Sequence, residues 1–204
     1  MSEQPEQKDD ELRIGVYVCH CGSNIAGVIP PKEVAEFAAE LPGVVHATDT
    51  MYACADSGQR LIKEDIKKYN LNRVVVSACS VRMHEPTFRA AVAEAGLNPF
   101  LMEMANIREQ CTWAHGHDRQ GALAKAKDLT ASAIAKASFL RPLDMISVPV
   151  SHKALVIGGG VAGINAALDL AEQNIPVVLV EKEPTIGGVM AQLNKTFPTM
   201  DCSI

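Results

Sequence analysis

Short apolar runs recur along the chain, and the stretches between them carry apolar residues at helical spacing. The first run covers residues 13–18, RIGVYV; the next are 44–48, VVHAT, and 73–78, RVVVSA. A fourth, 99–104, PFLMEM, is expected to be a strand as well. Between the first two, Val34, Phe37, Ala38 and Leu41 share one face of a helix that opens at Pro31 and stops at Pro42-Gly43. Leu61, Ile62, Asp65 and Ile66 mark a second helix reaching Asn70, with Ser57 as its expected cap. A third helix is expected over residues 85–95, closed by Gly96. Strands alternating with helices predict an α/β fold, with a parallel, doubly wound, Rossmann-like sheet over residues 13–104.

The pattern then changes. A helical stretch through Trp113 breaks at His115-Gly116-His117, and a long amphipathic helix rich in Ala and Lys follows over residues 118–140, ended by Arg141-Pro142-Leu143. Residues 105–146 are expected to form a helical connector that packs one domain against the next. The last segment, 147–204, opens with a buried-strand run at 154–157, ALVI, followed by Gly158, Gly160 and Gly163 in G-x-G-x-x-G spacing. A helix with Ile164, Ala167, Leu168 and Ala171 on one face leads to a second run, 177–180, VVLV, ending at Glu181. This is one βαβ unit. The first glycine permits the tight turn, the second lets backbone approach a pyrophosphate, and the third lets helix and strand pack closely. The helix start offers N–H groups to the phosphates. Glu181 lies 181 − 160 = 21 residues beyond the middle glycine, where a carboxylate reaches the ribose hydroxyls of an adenosine. A glycine-rich turn without a ligand explains the glycines but not Glu181. The expected cofactor-binding residues are Gly158, Gly160, Val161, Ala162, Gly163, Glu181, Lys182 and Gly188.

Composition narrows the chemistry. Of 204 residues, 48% are hydrophobic and 21% charged, the balance of a globular protein. A net charge of −5 and only 4% aromatic residues argue against nucleic acid and anionic membranes as partners. No apolar run approaches the roughly 20 residues of a membrane span. The start, MSEQPEQKDDE, is polar and acidic, so residues 1–12 are expected to be a disordered tail and the protein cytoplasmic. In such a reducing compartment the six cysteines are thiols or metal ligands rather than disulfides. No G-x-S-x-G, H-E-x-x-H or P-loop lysine marks a hydrolase.

The cysteines follow the strands. Cys19 and Cys21 come directly after the first, Cys54 after the second and Cys79 after the third. A parallel sheet gathers residues past its strand ends at one edge, so four thiols are expected together there. They suit an iron–sulfur cluster or a tetrahedral zinc, the cluster being preferred, and the spacing alone decides neither. Cys111 is expected to be a core thiol. Arg82, His84 and Glu85 form a polar group near the same edge that would either tune a metal site or cap a helix, and His115 and His117 are expected to be solvated.

Several segments resemble one family. They are 16–22, VYVCHCG; 75–88, VVSACSVRMHEPTF; 106–111, NIREQC; 154–188; and 195–204, KTFPTMDCSI. All are similar to the N-terminal part of the A-type subunit of heterodisulfide reductase, and the resemblance covers nearly the whole chain beyond the tail. It implies FAD at the glycine loop, in agreement with the second diglycine, Gly187-Gly188, and four-iron (4Fe-4S) clusters. Partners implied are B- and C-type subunits, a hydrogenase or formate dehydrogenase, and ferredoxin, in electron transfer or bifurcation between ferredoxin and a disulfide. One βαβ unit supplies only part of a flavin pocket, so residues 147–204 are expected to be a truncated FAD-binding domain. The family continues beyond the Asp201-Cys-Ser-Ile204 motif with a further cysteine, in some members selenocysteine. An in-frame UGA after Ile204 would therefore make this chain the front piece of a longer selenoprotein. The alternative is a non-catalytic, metal-bearing scaffold that docks redox subunits. A thiol–disulfide oxidoreductase lacks its C-x-x-C.

Overall fold

Parallel β-strands form the centre of both halves of the computed structural model, which describes residues 11–202. The chain divides into two units, residues 1–144 and 145–204. In the first, β1 (Ile14–Cys19), β2 (Val44–Thr50), β3 (Arg73–Ala78) and β4 (Met102–Asn106) make an all-parallel sheet in the order β2-β1-β3-β4. Every residue of β1 is buried, as expected of a central strand covered on both faces. Its side chains alternate between two cores. Ile14, Val16 and Val18 meet α1 (Ser23–Ala26), α2 (Pro31–Ala39) and α5 (Arg119–Ser138). Tyr17 and Cys19 face the opposite core, built with α3 (Asp56–Lys68) and α4 (Val81–Glu94). The chain order reverses direction between β1 and β3, which is where doubly wound sheets open a crevice at their strand ends.

Helix α5, in the stretch expected to be a connector, lies within the first unit and buries Ala122, Ala126, Thr130, Ala133, Ile134 and Ala137. The Thr130 and Ser77 hydroxyls hydrogen-bond at 3.0 Å in the core, tying α5 to β3. Small residues every three or four positions let the helix approach the sheet closely. Smaller differences follow local chemistry. Helix α4 begins at Val81 rather than Glu85 and includes Pro86, which forgoes the bond its N–H would make to the Arg82 carbonyl. The α3 cap is Ala55, without a side-chain bond, so Ser57 lies inside the helix. Residues Pro99–Leu101 form a 3₁₀ turn capped by Asn98, and the fourth strand starts only at Met102. A π-helical turn, Arg108–Thr112, follows β4. The expected tail lies, through residue 10, outside the described residues.

The second unit holds β5 (Ala154–Ile157), α6 (Val161–Glu172) and β6 (Val177–Val180), with β5 and β6 parallel in the register Leu155↔Val178 and Ile157↔Val180. One sheet face carries the half-buried Ala154, Val156, Val177 and Leu179; the other leaves Leu155, Ile157, Val178 and Val180 exposed. No described helix is long and apolar enough to cross a membrane.

Candidate functional site

The switch between β1 and β3 collects the thiols. Cys19 is the last residue of β1 and is buried, and Cys79, directly after β3, is buried too. Cys21 stands two residues past β1 with φ +50°, and Gly22 follows at φ +57°. Left-handed backbone at a non-glycine residue costs about 1–3 kcal/mol and is tolerated where the surroundings demand it. The Cys21 amide donates to Cys19 Sγ at 3.3 Å, and the Ala53 amide donates to the same sulfur at 3.4 Å. Ala53 and Cys54 lie on the loop between β2 and α3. Gly58 lets α3 rest on that loop, because a Cβ there would stand 2.4 Å from the Tyr52 carbonyl oxygen. Cys19 and Cys79 are each within electrostatic reach of both Cys21 and Cys54. Cys21 and Cys54 are thus each near both of the buried thiols. Burial pushes the Cys19 thiol up and the Cys79 thiol up to about 11, the nearby Arg108 opposing the second shift. Among the described residues, no three His, Cys, Asp or Glu side chains are gathered so as to hold a single metal ion.

The fourth strand also contributes, and sequence reasoning missed it. Arg108, two residues past β4, donates from Nη1 to Cys21 Sγ at 3.0 Å and from Nη2 to Glu109 Oε1 at 2.7 Å. Burial opposes the charge on both side chains, yet their pairing prevails: Glu109 is held below the ordinary carboxylate range and Arg108 above the ordinary arginine range. The rule that located the cysteines, residues just past parallel strand ends, would have found this pair. The residues expected to tune the edge are engaged otherwise: Glu85 pairs with Arg89, His84 packs edge-on against Phe88, and Arg82 is exposed. His20 pairs with Asp49 at 2.5 Å. Cys111 is fully buried and donates to the Ala122 carbonyl at 3.0 Å, so it is a core thiol. His115, expected to be solvated, is half-buried and contacts Lys125 Nζ at 2.9 Å. Cys202 is exposed, on an isolated bridge with Lys195.

In the second unit the glycine loop joins β5 to α6. Gly158 turns the chain at φ +101°. Gly163 must lack a side chain, since a Cβ would stand 1.8 Å from the Gly158 carbonyl oxygen. Gly160 differs. Its backbone is extended, φ −75° and ψ −177°, and a Cβ there meets nothing within 4 Å. The amides of Val161, Ala162 and Gly163 precede the first helical bond, Ile164 N–H to the Gly160 carbonyl at 2.9 Å. Glu181 accepts from the Glu183 amide at 2.9 Å, the Gly159 amide at 2.6 Å and the Lys182 amide at 2.7 Å, and these bonds, with those from Glu183 and Gly159 foremost, hold its carboxyl below the ordinary range. Gly187 donates to the Gly159 carbonyl at 2.7 Å and bridges Gly160, so the diglycine turn lies against the loop.

Together the two units define an α/β protein with a thiol-lined sheet edge and a dinucleotide-type glycine loop. Comparison with known proteins gives the relationship. Residues 154–200 match the family model of FAD dependent oxidoreductases. The chain is 64% identical over 196 residues to the second iron–sulfur A-type subunit of the CoB–CoM heterodisulfide reductase of Methanopyrus kandleri, covering 96% of this chain and 30% of that protein. It is 58% identical over 202 residues to the A-type subunit of the H2:CoB–CoM heterodisulfide, ferredoxin reductase of Methanothermobacter thermautotrophicus, covering 99% of this chain and 31% of the relative. To the A-type subunit of the ferredoxin/F420H2-dependent CoB–CoM heterodisulfide reductase of Methanosarcina acetivorans it is 58% identical over 193 residues, 95% of this chain and 24% of that one. The chain is thus similar to the A-type subunit of heterodisulfide reductase over nearly its whole length and spans about a quarter to a third of the length of these relatives.

Proposed function

We propose that this chain contributes to an electron-transfer flavoprotein of the heterodisulfide reductase type, binding FAD at the glycine loop and a four-iron cluster at the thiol edge. Gly160 carries the reading: nothing inside the protein requires glycine there, whereas a pyrophosphate lying against the backbone does. The residues fit the group. Val161, Ala162 and Gly163 offer unpaired helix-start amides to the phosphates, the dipole of α6 favours their charge, and Glu181 orients the adenosine ribose. FAD, when bound, supplies the capacity to take up and release one or two electrons.

The thiol edge fits a cluster in its donor set. Cys21 and Cys54 each lie near both Cys19 and Cys79, and amides of Cys21 and Ala53 already donate to the Cys19 sulfur. The proposed donor and acceptor are ferredoxin and a disulfide, which the relatives' names carry, and the proposed partners, in the cytoplasm, are the B- and C-type subunits and the hydrogenase or formate dehydrogenase that the sequence resemblance implies.

Anaerobic purification with iron, acid-labile sulfide and flavin analysis tests this. Iron, sulfide and a flavin spectrum together are expected, and Cys79→Ser is expected to lose most of the iron. Zinc in a colourless protein refutes the cluster. Iron without flavin favours the scaffold reading.

A further inference from the structure

We propose that Arg108 sets the reduction potential of the thiol site by donating to the Cys21 sulfur from a fixed position. This rests on the reading that the thiols hold an iron–sulfur cluster. Arg108 is a positioning residue in this role: it acts on the cluster through a ligand sulfur.

The guanidinium is fixed on several sides. Nε and Nη2 both reach Glu109 Oε1, at 3.2 and 2.7 Å, and Nη2 lies 3.7 Å from Met83 Sδ. The Trp113 ring centroid stands 4.7 Å from the guanidinium carbon, and the indole N–H donates to Asn24 Oδ1 at 3.3 Å. Only 12% of the Arg108 side chain is exposed. The π-helical turn itself is anchored: Asn106 Oδ1 accepts the Glu109 amide at 3.0 Å, and the Ile107 amide donates to the Ala78 carbonyl at 2.9 Å, directly before Cys79. Arg108 Nη1 is thereby held against Cys21 Sγ at 3.0 Å, in reach of Cys79 as well. An arginine used only for surface pairing needs neither an aromatic lid nor a sulfur partner.

When the site takes one electron from an external reductant, its charge becomes more negative by one. A cation and N–H donor at a ligand sulfur stabilises that form more than the oxidised one, so it raises the potential. Glu109, a half-buried carboxylate on the far side of the same guanidinium, works in the opposite sense. The two residues form a dipole whose positive end faces the sulfur.

The test is a dithionite titration of the anaerobically reconstituted chain, followed by electron paramagnetic resonance, on the parent, Arg108→Gln, Arg108→Lys and Glu109→Gln. Arg108→Gln is expected to lower the one-electron equilibrium constant about tenfold, a shift of 59 mV to more negative potential. Arg108→Lys is expected to fall between it and the parent, and Glu109→Gln to move the potential positively. A general loosening of the site would not move it in opposite directions. A loaded cluster with the same potential in Arg108→Gln and the parent overturns the role of Arg108 and leaves the cluster assignment standing. A parent chain that binds no cluster overturns both. Should Arg108→Gln fail to load, the signs for Arg108→Lys and Glu109→Gln decide.

Discussion

Gly160→Ala separates a glycine needed by a ligand from a glycine needed by the fold. At φ −75° and ψ −177° alanine is unstrained, and its Cβ meets nothing within 4 Å. Two small effects on stability oppose each other. Alanine is a poorer helix N-cap than glycine, by up to about 1 kcal/mol. It also restricts the unfolded chain, which returns about 0.4–1 kcal/mol. The folded state is therefore expected to keep its stability within roughly 0.5 kcal/mol. Binding is another matter. The methyl group occupies open space at the start of α6, where phosphate oxygens would lie about 2.7–2.9 Å from the amides. Losing one charge-assisted hydrogen bond costs about 1.5–3 kcal/mol, roughly a 10- to 150-fold rise in Kd.

Gly163→Ala is the contrasting variant. Its Cβ would stand 1.8 Å from the Gly158 carbonyl oxygen, so backbone must move and both stability and binding are expected to fall. Calorimetric titration with FAD and with ADP gives the affinities, and far-UV circular dichroism on heating gives the stabilities. Equal FAD affinity in Gly160→Ala and the parent, or no binding by the parent, would refute the phosphate-cradle argument.

Other substitutions test separate parts of the structure. Thr130→Val leaves the buried Ser77 hydroxyl without its partner, and urea unfolding should show a loss of about 1–3 kcal/mol; no change would mean that α5 is not seated on the sheet. Gly58→Ala pushes α3 off the Cys54 loop and should lower iron content together with stability, by about 1–3 kcal/mol for the latter. Burial, with Asp65 beside it, raises the Tyr17 phenol above its ordinary value of 10.0. The folded state therefore binds a proton that the unfolded chain releases. This contribution is fully present below pH 10 and is lost as pH rises further, by up to about 1.4 kcal/mol per unit, and Tyr17→Phe should remove that slope from urea midpoints. The amides of Glu183 and Gly159 depress the Glu181 carboxyl, so its ordering of the loop should persist as pH falls through the usual carboxylate range and fade only below it. Glu181→Gln should weaken FAD binding at neutral pH, and an unchanged Kd would remove Glu181 from the site.

Much of this was legible in the chain because its strands are short apolar runs and its helices carry large residues on one face. Helix α5 was legible as a helix over residues 118–140, but its place in the first unit was not, because its buried stripe is mostly alanine and threonine and gives little contrast with an Ala- and Lys-rich solvent face. The close seat on the sheet that such residues allow becomes visible only with the partner surface. The start of α4 was hidden for a different reason: Pro86 reads as a boundary, and the helix accepts it by giving up one bond. The strand-end rule places Arg108 and Glu109 at the thiol edge, but the π-helical turn after β4 has no sequence signature, so the contact of Arg108 with a cysteine 108 − 21 = 87 residues earlier becomes visible only in the fold.

The first pair of thiols shows why spacing alone did not decide the chemistry. A C-x-C pair on a continuing strand would put both sulfurs on one face, equivalent to each other. Here the strand ends at Cys19, whose sulfur stays in the core under α3 and accepts two backbone amides. The left-handed turn at Cys21 and Gly22 carries the second sulfur to the rim, where it touches both cores and accepts a guanidinium. Neighbours in sequence thereby become unlike donors, one solvated by neutral dipoles and one by a part-buried cation. The strain held at Cys21 has a structural effect that a relaxed backbone would forgo, and its consequence is electrical: negative charge gathered at this edge is stabilised more at the Cys21 side than at the Cys19 side.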